Sequence, residues 1–483
     1  MNRRRFLKAG TAAAGLGYFY TATATSAARA ADSPSGKLRF AGIGVGGKGG
    51  GDTTHAGGLG DMVALCDIDE NTLAGKAREF PAAKKYFDFR KMLDEMGKQI
   101  DAVTVSTPDH THAPASIMAM KLGKHVYTQK PLTHTVFEAR QMRQVAKQMG
   151  VCTQMGNQGS ASSGLRRAVE VVQSGVLGPI REAHVWTNRP VWPQAPQVMS
   201  RPPESPVPAT VHWNEWIGPA PIRPYSAGIP ATDGQGQSQA KGKGGRGGRR
   251  QRGPYHDFNW RGWWDFGTGA LGDMACHTAN MAFRALKLAY PVSVVADATD
   301  VNPETYPSSA RIAFEFPARG DLPPLTFTWY EGRRGGKKLA PPDELLRKVL
   351  KPNEQLSPSG SMLVGDRGIL FSPNANGEQY RLIGEGIEDA AGHVKQSLPR
   401  LGAGNNDVHQ KEEWVKAIKE NKPAIAYSNF DFAAMLTETI LLGNIAIRMN
   451  GQKLDWDGPG LKFTNSAHAN QYVHYEYRKG WTL

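Results

Sequence analysis

Residues 37–51 read KLRFAGIGVGGKGGG, a short apolar run that breaks into glycines. The run has the length of a strand, and Gly42-x-Gly44-x-x-Gly47 follows it directly. A GxGxxG pattern alone is a weak sign. Here the next apolar run, MVALCDID, ends its strand at Asp67, 20 residues beyond Gly47. A strand, a glycine turn, a helix and a distal acid at that spacing form the fingerprint of a dinucleotide-binding unit. In such a unit Gly42 permits the tight turn, Gly44 lets a pyrophosphate approach the backbone, and Gly47 lets the helix pack on the strand. Ile43 and Gly46 share that turn and are expected at the cofactor with it. Asp67 would accept hydrogen bonds from the adenosine ribose, and its charge disfavours a 2′-phosphate, so NAD is expected over NADP. Glycines continue through Gly49–Gly51, Gly57, Gly58 and Gly60. Each interior glycine costs a helix roughly 1 kcal/mol relative to alanine, so the first helix is expected to be short or frayed.

Alternation of strand and helix continues. IDAVTVSTP is a buried strand ending at Ser106-Thr107-Pro108, and a loop with His110 and His112 leads into a helix stopped by Gly123. HVYT is the next strand, and the helix after it carries a capping-box signature, Thr135-x-x-Glu138, with Gly150 as its stop. VCTQMGN, ending at Asn157, is one more strand. Strands alternating with helices imply a parallel sheet, whose ligands sit outside the carboxyl ends of the strands. The loops at Gly42–Gly47, Asp67, Thr107–His112, Gln129–Pro131 and Gly156–Gln158 should therefore meet at one crevice. HVYTQKPLTH, residues 125–134, puts Lys130 at a strand end, held by Pro131 and aimed at that crevice.

Four features together resemble the glucose–fructose oxidoreductase and inositol dehydrogenase family (Gfo/Idh/MocA). They are the early GxGxxG, VSTPDHTHAP like the family's TPN-x-x-H loop, QKP like its Glu-Lys-Pro, and a later Asp-x-x-x-His. The likeness runs from Lys37 onward, and WDGPGLKFTNSAHANQYVHYEYRKGW is similar to a twin-arginine-exported branch. Gln129 stands where the family usually has glutamate. The resemblance implies an α/β protein with two parts. Residues 37–158 would form a Rossmann domain, a doubly wound parallel sheet that binds NAD. Residues 159–483 would form an α/β domain with a large open, mostly antiparallel sheet that covers the substrate and joins subunits into a homo-oligomer.

WRGWWDFGTGALGDMACHTANMAFRALKLA is the richest later stretch. Asp273 and His277 lie four apart in a helical pattern and so share one face. They match the family's Asp-x-x-x-His, which with Lys130 makes its usual catalytic trio. Oxidising an alcohol needs a base with a pKa near the working pH, where histidine lies by default. His277 is expected as acid/base on the substrate hydroxyl, Lys130 to polarise or deprotonate that hydroxyl and orient the nicotinamide, and Asp273 to position the substrate or His277. A packed helix histidine near an aspartate is the competing explanation. Asp273, His277 and His256 have no recognised metal spacing, and no metal is expected. Trp260, Trp263 and Trp264 could stack on sugar faces, although clustered tryptophans are more often core. The preceding proline-rich stretch with tryptophans reads as an irregular arm. Residues 233–254, DGQGQSQAKGKGGRGGRRQRGP, are of low complexity and read as a disordered insertion. SNFDFAAMLTETILLGNIAIRMNG is a strong helix, capped by Ser428 or Asn429, with no chemistry of its own.

The formal charge is +14, but residues 1–30 and 241–252 carry 11 of those charges and no acid. The remainder is nearly balanced, which argues against a nucleic-acid partner. Three widely spaced cysteines, Cys66, Cys152 and Cys276, exclude a disulfide framework. Residues 1–30, with RRRFLK and an Ala28-Arg29-Ala30 ending, read as a twin-arginine signal peptide rather than a stable membrane span, so a periplasmic protein is expected. The reading is an exported, NAD-dependent oxidoreductase acting on a hydroxyl of a sugar, cyclitol or glycoside. Two rivals stand beside it: an NAD-dependent glycoside hydrolase working through transient oxidation, and a sugar-binding protein with a vestigial nucleotide fold.

Overall fold

The computed structural model describes residues 36–228, 253–256 and 258–483. The expected export signal, and residues 233–252 of the expected insertion, lie outside them.

The first sheet is the one the glycine run implies. Strands β1 (Arg39–Ile43), β2 (Asp61–Cys66), β3 (Lys84–Tyr86), β4 (Ala102–Val105), β5 (His125–Thr128) and β6 (Thr153–Met155) pair in the order β3-β2-β1-β4-β5-β6. Every pairing is parallel. β4 and β5 are buried along their whole length, as strands covered on both faces must be. The helix Phe89–Met96 shows how pattern becomes packing. Asp88 caps it by accepting from the Arg90 N–H, and Phe89, Met92, Leu93 and Met96 form one buried stripe. The helix Val136–Met149 has the expected capping box of Thr135 and Glu138, and ends at Gly150 with φ +63°.

The first helix is a correction. It runs Gly47–Gly57, 11 residues, despite its glycines. Tertiary contact overrides propensity here. Asp52, fully buried, is held at 2.7 Å by Lys411 and at 3.0 Å by Lys48, and Lys48 also reaches Asp407. Lys411 and Asp407 belong to the helix Asn406–Lys419, which packs Trp414, Val415 and Ile418 against Phe40, Leu65 and Tyr127. A segment some 250 residues beyond β6 thus completes the layer around the first sheet.

The second sheet has ten strands. These are β7 (Ile180–Trp186), β8 (Ser293–Thr299), β9 (Ser309–Phe316), β10 (Leu325–Arg334), β11 (Lys337–Lys338), β12 (Gly360–Gly365), β13 (Ile369–Ser372), β14 (Arg381–Ile383), β15 (Leu454–Asp457) and β16 (Lys462–Phe463). Their order is β14-β13-β12-β7-β10-β9-β8-β15-β16, with β11 on β10. All pairings are antiparallel except β7 with β10. One face packs on the helix Phe430–Arg448, which Asn429 caps. That helix is long and apolar enough to cross a membrane, but 83% of its apolar window is buried in this core. On the other face, Trp186, Tyr330, Met362 and Phe371 are covered by Leu345, Leu346 and Leu350. Cys66, Cys152 and Cys276 are free and buried.

Candidate active site

A cleft of about 600 Å³ opens at the carboxyl ends of the parallel strands. Ile43, Gly44, Gly46, Gly47, Asp67, Ser106, Thr107, Pro108, Gln129 and Lys130 all line it. Parallel strands deliver these residues from separate stretches to one mouth.

The glycine turn does its work through space. A Cβ on Gly44, whose φ is +74°, would stand 2.7 Å from the Ser106 carbonyl oxygen. The close helix packing expected of Gly47 belongs instead to Gly49, where a Cβ would lie 1.9 Å from the Gly44 oxygen. Gly47 has no such neighbour, and it serves by adopting a φ of +50°. Asp67 accepts hydrogen bonds from the Val45 N–H at 2.9 Å and the Asp69 N–H at 3.0 Å. Burial pushes its carboxyl up despite those bonds. A carboxylate keeps lone pairs beyond these two bonds, so it can still accept from a ligand. A turn of bare backbone beside a carboxylate at the next strand's end fits a dinucleotide's pyrophosphate and ribose.

Three residues expected at the cleft, His110, Asn157 and Gly42, do not line it. The His110 ring nitrogens lie 3.2 and 3.0 Å from the carbonyls of Phe266 and Trp216, and burial lowers the ring to about 4. His110 is a buried tie between the domains and does not line the cleft. Asn157 is also fully buried; its amide donates to the Cys276 carbonyl and its Oδ1 accepts from Ser160. Gly42 lies beneath the turn, its Cβ position 2.9 Å from the Thr53 hydroxyl oxygen.

Lys130 meets the later half of the chain at the cleft. Its ammonium donates to the Asp273 carboxylate at 2.8 Å and to the Asp273 carbonyl at 2.7 Å. Asp273 and His277 share the helix Gly269–Thr278, as their spacing implies. The Asp273 carboxylate does not reach for His277. Arg261 stands 3.2 Å from it and Arg189 3.6 Å. Burial raises that carboxyl, but Lys130 and Arg261 outweigh burial and hold it well below the ordinary carboxylate range. Burial, with Lys130 beside it, lowers His277 to about 3, and its buried Nδ1 has no hydrogen-bond partner. The expectation that histidine sits near neutral by default does not hold in this environment. Trp260 lines the cleft under Arg261, 4.2 Å from ring centroid to guanidinium, whereas Trp263 and Trp264 are core.

Gln129 replaces a glutamate without loss of charge nearby. Its amide donates to Asp52 at 2.8 Å, so the buried carboxylate stands on the first helix instead. Burial raises Asp52 and Lys411 and Lys48 more than offset it, leaving that carboxyl lowered.

Residues 38–157 match the model of the oxidoreductase family with an NAD-binding Rossmann fold, GFO_IDH_MocA. In this stretch the chain is similar to the Gfo/Idh/MocA oxidoreductases. Among its relatives is 1-carboxy-3-chloro-3,4-dihydroxycyclohexa-1,5-diene dehydrogenase of Comamonas testosteroni, 29% identical over 26% of this chain and 30% of that protein. A glycosyl hydrolase family 109 protein of Shewanella pealeana is 29% identical over 37% of this chain and 44% of that protein. The chain spans less than half the length of such curated relatives. The structure of an inositol dehydrogenase homologue of Azotobacter vinelandii, complexed with NADH and myo-inositol, shares the fold. Its TM-score is 0.54 at 15% identity, covering 87% of this chain and 98% of that one.

Glu215, Trp216 and Trp481 at this cleft have no local sequence signal, whereas Asp109 lies within the loop expected there without having been singled out. Arg189 joins Arg261 on Asp273. Asp109 follows Thr107-Pro108 directly, and that adjacency is the one cue that could have flagged it.

Proposed function

We propose that the protein is an exported oxidoreductase that uses NAD and acts on a hydroxyl of a sugar, cyclitol or glycoside. The observation that carries this is the Lys130–Asp273 contact at 2.8 Å, at the mouth of the cleft that Gly44–Gly47 and Asp67 line. Asp67, Gly44, Gly46 and Gly47 would hold the dinucleotide's ribose and pyrophosphate, and a bound nicotinamide would supply the hydride acceptor. Lys130 spends two N–H groups on Asp273 and has a third for the substrate oxygen. Asp273, kept anionic, fixes that lysine. His277 offers a neutral imidazole one helical turn away. The dihydroxycyclohexadiene dehydrogenase among the relatives supports this substrate class.

Hydrolysis of a glycoside through transient oxidation is the second reading. Trp216 and Trp481 line the cleft and would grip a bound dinucleotide, which suits a cofactor that is recycled in place. The family 109 hydrolase among the relatives supports it too.

Export to the periplasm would follow from residues 1–30. A homo-oligomer would form through the sheet face that exposes Asp297 and Arg311, which light scattering can test. Mass spectrometry of the denatured native protein tests the cofactor: NAD or NADH should be released and NADP should not, because Asp67 repels a 2′-phosphate. Release of NADP, or calorimetric titration showing no dinucleotide binding, would defeat this reading.

A further inference from the structure

Asp109 opens the helix Asp109–Lys121 and is 2% exposed, yet it lines the cleft with Lys130. Its Oδ2 accepts a hydrogen bond from the Thr268 hydroxyl at 2.6 Å. Thr268 is the N-cap residue of Gly269–Thr278, the helix that carries Asp273 and His277, and Asn444 anchors the Thr268 carbonyl at 2.9 Å. One carboxyl group therefore joins the start of a Rossmann helix to the start of the helix bearing the candidate catalytic residues. No role in the trio uses it.

We propose that Asp109 is the site's proton acceptor, taking the proton that a substrate hydroxyl gives up in the cleft it lines with Lys130; this rests on the oxidoreductase reading above. Burial raises the Asp109 carboxyl to about 7, and Thr268, Arg261 and Lys130 pull it only part of the way back. Asp273 pushes it up, and the buried Cys276 and Tyr306 also face it. On its own helix, His110 and His112 are lowered by burial to about 4 and are uncharged at neutral pH. With Asp273 held anionic and His277 lowered to about 3, neither keeps a proton at neutral pH. Asp109 lies in the range where an acceptor works best.

The step balances as follows. The hydroxyl O–H bond breaks, and its electron pair becomes the second C–O bond of the carbonyl. The adjacent C–H bond breaks with its pair going to the nicotinamide ring of a bound NAD. The Asp109 carboxylate takes the hydroxyl proton, while Lys130 keeps its three N–H protons and steadies the substrate oxygen with the one that Asp273 does not accept. Asp109 later gives its proton to water in the cleft.

Because Asp109 must begin as a carboxylate, oxidation should rise with pH through about 7 and the reverse reduction should fall. Asp109→Asn is nearly isosteric, and its carbonyl can still accept from Thr268. Infrared difference spectra of the full-length protein should show a carboxyl group that loses its proton near neutral pH and is absent from Asp109→Asn. Bound-cofactor reduction by levoglucosan, myo-inositol and methyl β-glucoside should fall about 10²-fold in the variant and lose its rise through neutral pH. Identical infrared titrations in the two proteins, or an unchanged pH profile in the variant, would overturn the proposal. If none of the three probes reduces the cofactor in the wild type, the oxidoreductase reading has failed, and the infrared comparison alone then decides the state of Asp109.

Discussion

The two ends of the cleft are built on different principles. At the Asp67 end the carboxylates of Asp67 and Asp88 stand in a wall of backbone and rings. The His212 N–H donates to the Ile68 carbonyl and the Glu70 N–H to the Thr210 carbonyl, each at 2.9 Å. The rings of Phe87 and His212 stack at 3.9 Å. Trp481 lies near Phe89, with Arg90 over its ring at 4.1 Å. At the Lys130 end the wall is ions, with three cations on Asp273 and Asp109 close by. One end can hold a ligand by shape, while the other can move charge. Changes at the ionic end should therefore cost turnover, and changes at the packed end should cost retention.

The hardest test of that contrast is Lys130→Met. The fold and dinucleotide binding should persist while turnover drops by about 10²–10⁴, the range for a lost acid–base group. Combined with His277→Ala, the loss should be smaller than the product of the two single losses, since groups acting as a unit are non-additive. Near wild-type turnover would leave the ionic end without its chemistry.

Legibility in the sequence followed the same divide. The Rossmann half could be read because its signals are local: Gly42–Gly47, Asp67 and the Thr135–Glu138 box each lie within a few residues of the element they shape. Lys130 and Asp273 were also found, from a short motif and a helical spacing. Arg189, Arg261, Trp216 and Trp481 were not, because each reaches the site from a distant segment and nothing in its immediate neighbours marks it. Environment was invisible as well. His277 looks like a neutral-range base in sequence, and only burial shows that it is not.

Asp52 tests a third region, beneath the cleft floor. Lys411 and Asp52 are fully buried partners at 2.7 Å, and Gln129 and Ser106 also donate to Asp52. Breaking a buried pair leaves an uncompensated charge, so Asp52→Ala should destabilise by about 3–5 kcal/mol, read from the denaturation midpoint. The sign with pH follows from the lowered carboxyl. Its contribution is full above the unfolded-state pKa and is lost as pH falls through the lower folded value. The gap between wild type and Asp52→Ala should therefore close in acid. A gap independent of pH would show that packing, not charge, holds the first helix.

The smallest expected effect lies at the packed end. Trp481 is 7% exposed, lines the cleft, and is placed by its surroundings rather than by any regular element. Arg478, three residues earlier, donates to the Asn214 carbonyl at 2.6 Å and its side-chain oxygen at 2.8 Å, and also reaches Gly218. Lys121 holds the Leu483 carbonyl at 2.7 Å, two residues later. The ring is thus pinned from both sides against Phe89 and Arg90. A ring stacked against a ligand contributes about 1 kcal/mol, so Trp481→Ala should weaken dinucleotide binding by roughly fivefold. Faster loss of the dinucleotide during gel filtration should accompany it, with turnover at saturating cofactor nearly unchanged. A collapse of turnover with no loss of retention would mean that the two ends are not separable, and that residues 478–483 position the chemistry rather than the ligand.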